Sequence, residues 1–323
     1  MRPKRILILR PGAIGDTLLT FPALLALRQR FPDSKVTVVG NANVLGLGVA
    51  AGIFDERDAF GAAWVADLFG DAPTPALRTR LEPFDLGIVW MHTAEAADDL
   101  ASSLERTGVK QVLPLVSFPP IGSRCHLADH LVRTLAPLGI GGPRPAIALR
   151  PAVERDSLVV LHPGAGGRHK RWPAERFAAL ADRCSEHGGD VALTCGPADE
   201  DAVAAVQSAV RGAQPRVLAG LGLDELAGLL ARAHCFIGND SGITHLASLL
   251  NVPTLALFGP YDPLYWAPIG ERVAVVDAGT TCSHRDDPRE GCRTCGALAA
   301  LDVGTVWEAT QRLLRLARTS SGQ

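Results

Sequence analysis

Short uninterrupted apolar runs alternate along this chain with stretches whose apolar residues recur every three to four positions. Arg5–Arg10 (RILILR) is the first run, of the kind buried on both faces of a parallel sheet. The turn Pro11-Gly12-Ala13-Ile14-Gly15-Asp16 follows. Leu18, Leu19, Leu24, Leu25 and Leu27 then predict a helix over 17–30, with Pro22 in its first turns. Residues 36–39 are the next strand, which makes a right-handed βαβ start. Strands at 86–90 and 111–115 and helices at 95–106 and 126–138 continue the alternation. Between 54 and 80 the pattern predicts only a short strand near 64–68. Residues 139–152 (GIGGPRPAIALRPA) are rich in Gly and Pro without helical periodicity, and read as an interdomain linker.

The pattern restarts after the linker. A strand at 157–161 ends in His162-Pro163-Gly164-Ala165-Gly166-Gly167, and Pro173 fits the first position of a helix to about residue 187. Asp190–Cys195 is a strand, and Gly196-Pro197-Ala198-Asp199-Glu200-Asp201 opens a helix. A short strand at 216–218, a helix at 224–232 and a strand at 273–276 follow, and residues 303–318 form one amphipathic helix before a Ser-rich tail. The densest stretch is 236–263, FIGNDSGITHLASLLNVPTLALFGPYDP. It reads as strand, Gly-rich turn, helix and strand, with Ser241 or Asp240 as the N-cap. Such a helix start attracts anions through its free N–H groups and dipole. Gly238 and Gly242 let backbone approach a ligand, and His245 leans back toward the same terminus. An ordinary capped αβ turn would carry the same pattern.

Composition narrows the class. At 323 residues two domains are expected. With 47% apolar and 20% charged residues the chain reads as an ordinary globular protein, and a net charge of −2 gives no footprint for nucleic acid. No N-terminal signal and no apolar run long enough to span a bilayer are read. Seven scattered cysteines suit a reducing cytoplasm better than a disulfide scaffold.

Candidate chemistry gathers at strand exits. PGAIGD is not G-x-G-x-x-G, so it is a weak dinucleotide signal. Asp16 is a carboxylate at the carboxyl end of a buried strand, where open α/β sheets hold ligands; the competing reading is a helix N-cap. In the second half the exits at 162–170, 196–200 and 238–245 converge on one side of a sheet and together can hold a nucleoside diphosphate. Lys170 is one of four lysines against 28 arginines, so a lysine in a Gly-rich turn hints at a compact ammonium on phosphate. A solvated surface lysine is the alternative. Asp199-Glu200-Asp201 is a D-x-D string of the kind that holds a divalent cation, but acids at a helix start are favoured by the dipole, and the metal-free reading is preferred. Cys282, Cys292, Cys295 and His284 offer zinc-type ligands, with reduced thiols as the plainer reading. His92, His126 and His130 are expected to be structural.

ILILRPGAIGDTLLTFPAL, HPGAGGRHKRWP and IGNDSGITHLASLLNVPTLALFGPYDP, in this order and spacing, resemble the heptosyltransferase family, glycosyltransferase family 9. The resemblance covers nearly the whole chain. It implies an α/β GT-B fold: a Rossmann-like acceptor-binding domain at 1–150, a Rossmann-like nucleotide-sugar-binding domain at 151–302 facing it across a cleft, and a C-terminal helix within 303–323 packing back on the first. It implies inverting transfer of heptose from ADP-heptose to a glycan such as the lipopolysaccharide inner core. Carried over by position, Asp16 matches the family's base, with Gly12 and Gly15 in the acceptor-side loop. Lys170 matches its phosphate-binding lysine, in a loop with Gly164 and Gly166, and Glu200 its ribose-binding carboxylate. Asp240, Ser241, Gly242 and His245 match its D-[ST]-G-x-x-H turn. No cofactor and no metal are expected, and the enzyme would meet a lipid-linked acceptor at the inner face of the cytoplasmic membrane. Another nucleotide sugar, a non-lipopolysaccharide acceptor, or a non-catalytic nucleotide-sugar-binding protein on the same fold remain the alternatives.

Overall fold

The computed structural model describes residues 3–150, 153–279, 283–287, 289 and 291–319. The chain divides into two compact units, Met1–Leu149 and Arg150–Gln323.

The first unit is a parallel five-stranded sheet of β1 (Arg5–Arg10), β2 (Lys35–Gly40), β3 (Glu56–Ala59), β4 (Leu86–Met91) and β5 (Gln111–Val116). The order is β3-β2-β1-β4-β5, so the winding reverses between β1 and β4. Its helices are α1 (Ile14–Arg30), α2 (Ala42–Ala50), α3 (Ala63–Ala66), α4 (Pro75–Leu81), α5 (Ala94–Thr107) and α6 (Leu127–Thr134). Ile6, Leu7, Ile8 and Leu9 of β1 are all buried, as a central strand covered on both faces requires.

Three differences from the sequence pattern have local causes. Helix α1 begins at Ile14, three residues early, and Pro22 is its ninth residue and interior to the helix. Pro22 cannot donate to the Leu18 carbonyl, yet the helix runs on, with Leu18, Leu19, Phe21 and Leu24 buried around it. Helix α2 contains two glycines, which hid it. Gly48 is there for packing: a Cβ would fall 2.4 Å from the Phe54 ring. Residues 64–68 lie in α3 and the following 3-10 turn, and the strand is Glu56–Ala59 instead. An edge strand reading ERDA has no apolar alternation to detect. Its charges are used laterally, as in the 2.6 Å Lys35–Glu56 pair.

The second unit is a parallel six-stranded sheet of β6 (Leu158–His162), β7 (Asp190–Cys195), β8 (Arg216–Ala219), β9 (Cys235–Asn239), β10 (Thr254–Phe258) and β11 (Val273–Asp277). The order is β11-β10-β9-β6-β7-β8, with the reversal between β9 and β6. The helices are α7 (Ala174–Glu186), α8 (Glu200–Ala209), α9 (Leu223–Ala231), α10 (Gly242–Leu249), α11 (Pro263–Trp266) and α12 (Val303–Thr319). Pro173 is the N-cap of α7 rather than its first residue.

Sequence resemblance implied that the last helix packs on the first unit. In the structure Val306 and Leu313 of this helix are buried in one cluster with Leu161, Phe177, Ile237 and Leu257 of the second unit. Each such side chain contributes about 1.5–3 kcal/mol on burial, enough to hold α12 against α7 and β9–β11.

Candidate functional site

Open α/β sheets bind ligands outside the carboxyl ends of the strands flanking the reversal. In the second unit these are β6 and β9, and one side chain ties their exits together. Asn239, the last residue of β9, is fully buried. Its Nδ2 donates to the carbonyls of Pro163 (2.9 Å) and Gly164 (3.2 Å), and its Oδ1 accepts from the Trp172 N–H at 3.0 Å. The Gly-rich loop after β6 is thereby fixed against the turn after β9.

Asp240 comes next. Its N–H donates to the Leu257 carbonyl at 3.0 Å, and its Oδ2 accepts from Lys170 Nζ at 2.8 Å. Ser241 is the N-cap of α10: its hydroxyl accepts from the Thr244 N–H at 3.3 Å, and the Thr244 hydroxyl donates to the Asn239 carbonyl at 2.6 Å. Gly242 is the first residue of α10, and His245 is buried one turn on. Asp240 thus directly precedes the positive end of α10 and holds the Lys170 ammonium on its carboxylate, an arrangement that brings two anion-attracting groups together. Lys170 closes the 3-10 turn Arg168–Lys170 and is only 21% exposed, so the surface-lysine reading does not describe it.

The remaining predicted residues separate. Gly164 is required by space, because a Cβ would fall 2.0 Å from Asp199 Oδ1, whereas a Cβ on Gly166 would meet nothing within 4 Å. Glu200 is exposed at the first position of α8. The two aspartates of the D-x-D string face different neighbours. Asp199 Oδ2 accepts from the Gly196 N–H at 3.1 Å. Asp201 pairs with Arg171 (2.8 Å) and Arg168 (3.0 Å), and the Arg171 hydrogen bond holds its carboxyl below the usual range. His162, at the end of β6, is buried against Thr194 Oγ1 at 2.8 Å, and burial pushes its imidazole pKa down.

In the first unit the reversal lies between β1 and β4. Arg10 ends β1 and is buried, its Nε donating to Thr20 Oγ1 (3.3 Å) and its Nη1 to the Pro11 carbonyl (2.6 Å). Its Nη2 lies 3.8 Å from Asp16 Oδ1. Burial lowers the Arg10 pKa, and the Asp16 carboxylate opposes this. Asp16 is the third residue of α1, not its N-cap, which is Ala13. Its Oδ2 accepts from the Ala13 N–H at 3.1 Å, the back-reaching half of a capping box; alanine supplies no forward half. The Asp16 side chain keeps 20% exposure. Gly12 admits this fold-back, since a Cβ would meet Asp16 Cβ at 2.7 Å, and Gly15 is the second residue of α1.

His126 and His130 serve the backbone: Nδ1 of His126 accepts from Ala128 N–H at 3.2 Å, and Nε2 of His130 lies 2.9 Å from the Val116 carbonyl oxygen. His92 is exposed after β4, its ring 4.9 Å from that of Phe118. Cys282 lies outside the described residues. Cys292 is buried and its Sγ accepts from the Cys295 N–H at 3.2 Å. Among the described residues no group of three or more His, Cys, Asp or Glu is placed to hold a metal ion.

Sequence reasoning passed over Asn239, Arg10 and Tyr261. The first two carry a faint signal, a polar residue closing an apolar strand. Tyr261 carries none.

Residues 138–293 match the family model described as glycosyltransferase family 9 (heptosyltransferase). Among curated proteins, lipopolysaccharide heptosyltransferase 3 of Escherichia coli (strain K12) is 34% identical over 166 residues, 50% of this chain and 47% of that protein. The chain spans about half the length of the first curated relatives it matches. Among solved structures, the glycosyl transferase family 9 protein from Veillonella parvula DSM 2008 matches with a TM-score of 0.78 at 21% identity, over 96% of this chain and 97% of that one. E. coli ADP-heptose lps heptosyltransferase II matches with a TM-score of 0.76 at 20% identity, over 97% and 99%. The two doubly wound units are those of the GT-B fold, and residues 138–293, just under half of the chain, are similar to glycosyltransferase family 9, the heptosyltransferase family.

Proposed function

We propose that this chain transfers heptose from ADP-heptose to a glycan acceptor such as the lipopolysaccharide inner core, with inversion at the anomeric carbon. The observation that carries the reading is the cluster of Lys170, Asp240 and the α10 N-terminus at the β6/β9 exits, locked by Asn239. Such a cluster suits a diphosphate whose charge grows as the glycosidic C–O bond breaks. The ammonium and the helix dipole stabilise that charge in the transition state.

Asp16 acts as general base. An acceptor hydroxyl is a poor nucleophile until its proton leaves during attack, and that proton goes to the Asp16 carboxylate. Attack opposite the departing ADP inverts the anomeric centre. Support comes from the partial exposure of Asp16 at the β1 exit, with Arg10 Nη2 3.8 Å from its Oδ1.

Turnover needs no divalent metal in this reading, because Asp199 and Asp201 already serve separate partners, Gly196 and Arg171. The acceptor is lipid-linked, and the protein meets it peripherally at the inner membrane face. Among the described residues no helix is long and apolar enough to cross a membrane.

Calorimetry with ADP, UDP and GDP, followed by turnover of the matching heptose donor, tests the donor assignment. ADP binding with the highest affinity and acceptor-dependent ADP release are expected. Preference for UDP or GDP would overturn the donor, and binding without turnover would leave a nucleotide-sugar-binding protein.

A further inference from the structure

Tyr261 follows β10 in the segment Gly259-Pro260-Tyr261-Asp262-Pro263 and has no part in the chemistry above. Its ring centroid lies 4.1 Å from Lys170 Nζ, inside the distance at which an aromatic face attracts a cation. Contacts reach both the ring and the backbone of this segment. Gly291 stands so close that a Cβ there would fall 2.6 Å from the ring Cζ. Arg285 Nη2 donates to the Tyr261 carbonyl at 2.9 Å and to Asp277 Oδ1 at 2.6 Å. The Cys292 N–H donates to the Pro260 carbonyl at 2.9 Å, and the Trp266 ring meets Tyr261 edge-on at 6.5 Å. Tyr261 is thus a braced platform under Lys170.

We propose that Tyr261 is a positioning residue for Lys170: its ring face holds the ammonium beside the β6/β9 exits, with an N–H left for the donor diphosphate. This rests on reading Lys170 as a diphosphate ligand. The ammonium carries three N–H groups. Asp240 accepts one at 2.8 Å, which fixes one direction only. A second carboxylate would fix another but would make the Lys170–Asp240 group net negative and repel the diphosphate. An aromatic face fixes the position through its quadrupole and leaves the net charge intact. The segment around Gly291 thereby acts on the donor site through the ring it braces.

The test titrates ADP into the full-length chain carrying Tyr261→Phe, Tyr261→Leu, Lys170→Ala, or the Leu and Ala changes together. A series with successively fluorinated phenylalanines at 261 keeps the shape of the ring while draining its face of charge. Tyr261→Phe binds ADP as the unmodified chain does. Tyr261→Leu weakens ADP roughly three- to tenfold, raises the donor KM and spares the acceptor KM. In the Lys170→Ala background Tyr261→Leu adds nothing, and affinity falls stepwise with fluorination. Equal weakening by Tyr261→Leu with and without Lys170, or a flat fluorine series, overturns the proposal while the Lys170 reading stands. Unchanged ADP affinity in Lys170→Ala overturns both.

Discussion

Asp16 has two jobs, and a pair of substitutions separates them. Its Oδ2 receives the Ala13 N–H, and its Oδ1 lies toward Arg10. Asp16→Asn keeps an oxygen for Ala13, so folding and ADP affinity should persist while transfer falls ~10²–10⁴-fold. Asp16→Ala loses the same activity and also about 0.5–1 kcal/mol of stability, because the Ala13 N–H loses its partner. Thermal unfolding beside steady-state turnover reads both. A second prediction concerns Asn239. Asn239→Ala removes three buried hydrogen bonds joining two loops and should cost about 2–4 kcal/mol, with weaker ADP binding in whatever remains folded. Denaturant unfolding and calorimetry check it, and a loss under 1 kcal/mol would make the tie incidental.

At the scale of elements, Asp85 staples the start of β4 to its neighbours. Lys110 donates to it at 2.5 Å, and the backbone N–H groups of Lys4 and Arg5 donate to its other oxygen at 2.7 and 3.1 Å. The Lys110 hydrogen bond, then those two, hold its carboxyl down to about 2. A folded pKa below the unfolded one gives stability that is present above ~3.9 and is lost as pH falls toward the folded value. Asp85→Asn should therefore cost on the order of 1 kcal/mol near neutrality, after discounting for solvent, and progressively less below pH ~4. Unfolding at pH 7 and at pH 3 measures the change. Strands such as β1, β7 and β9 are legible in the sequence because burial on both faces leaves continuous apolar runs. Helix α2 and strand β3 are not. A glycine chosen to admit Phe54 looks like a breaker, and an edge strand stabilised by lateral charge carries no period. Asp16 in the first unit, and Lys170, Asp240 and Ser241 in the second, are legible as candidates because Gly-rich exits announce them. Tyr261 is not, because its meaning depends on a ring contact with a residue 91 positions earlier, counting 261 − 170.

At the scale of the molecule, the chain is two separately cored units, and the proposed donor residues all belong to the second. A fragment beginning at Arg150 should bind ADP within about tenfold of the full chain, a difference of ~1.4 kcal/mol. A folded fragment with no measurable affinity would remove the donor site from that unit. The claim of acid–base glycosyl transfer has a more direct test. The full chain and its Asp16→Asn variant are each given ADP-heptose and a lipopolysaccharide inner-core acceptor, in chelator. ADP release and the anomeric configuration of the product are followed. We predict acceptor-dependent ADP release with inverted configuration, reduced ~10²–10⁴-fold in the variant at unchanged ADP affinity. Wild-type transfer by a folded Asp16→Asn variant, or a retained configuration, would contradict it.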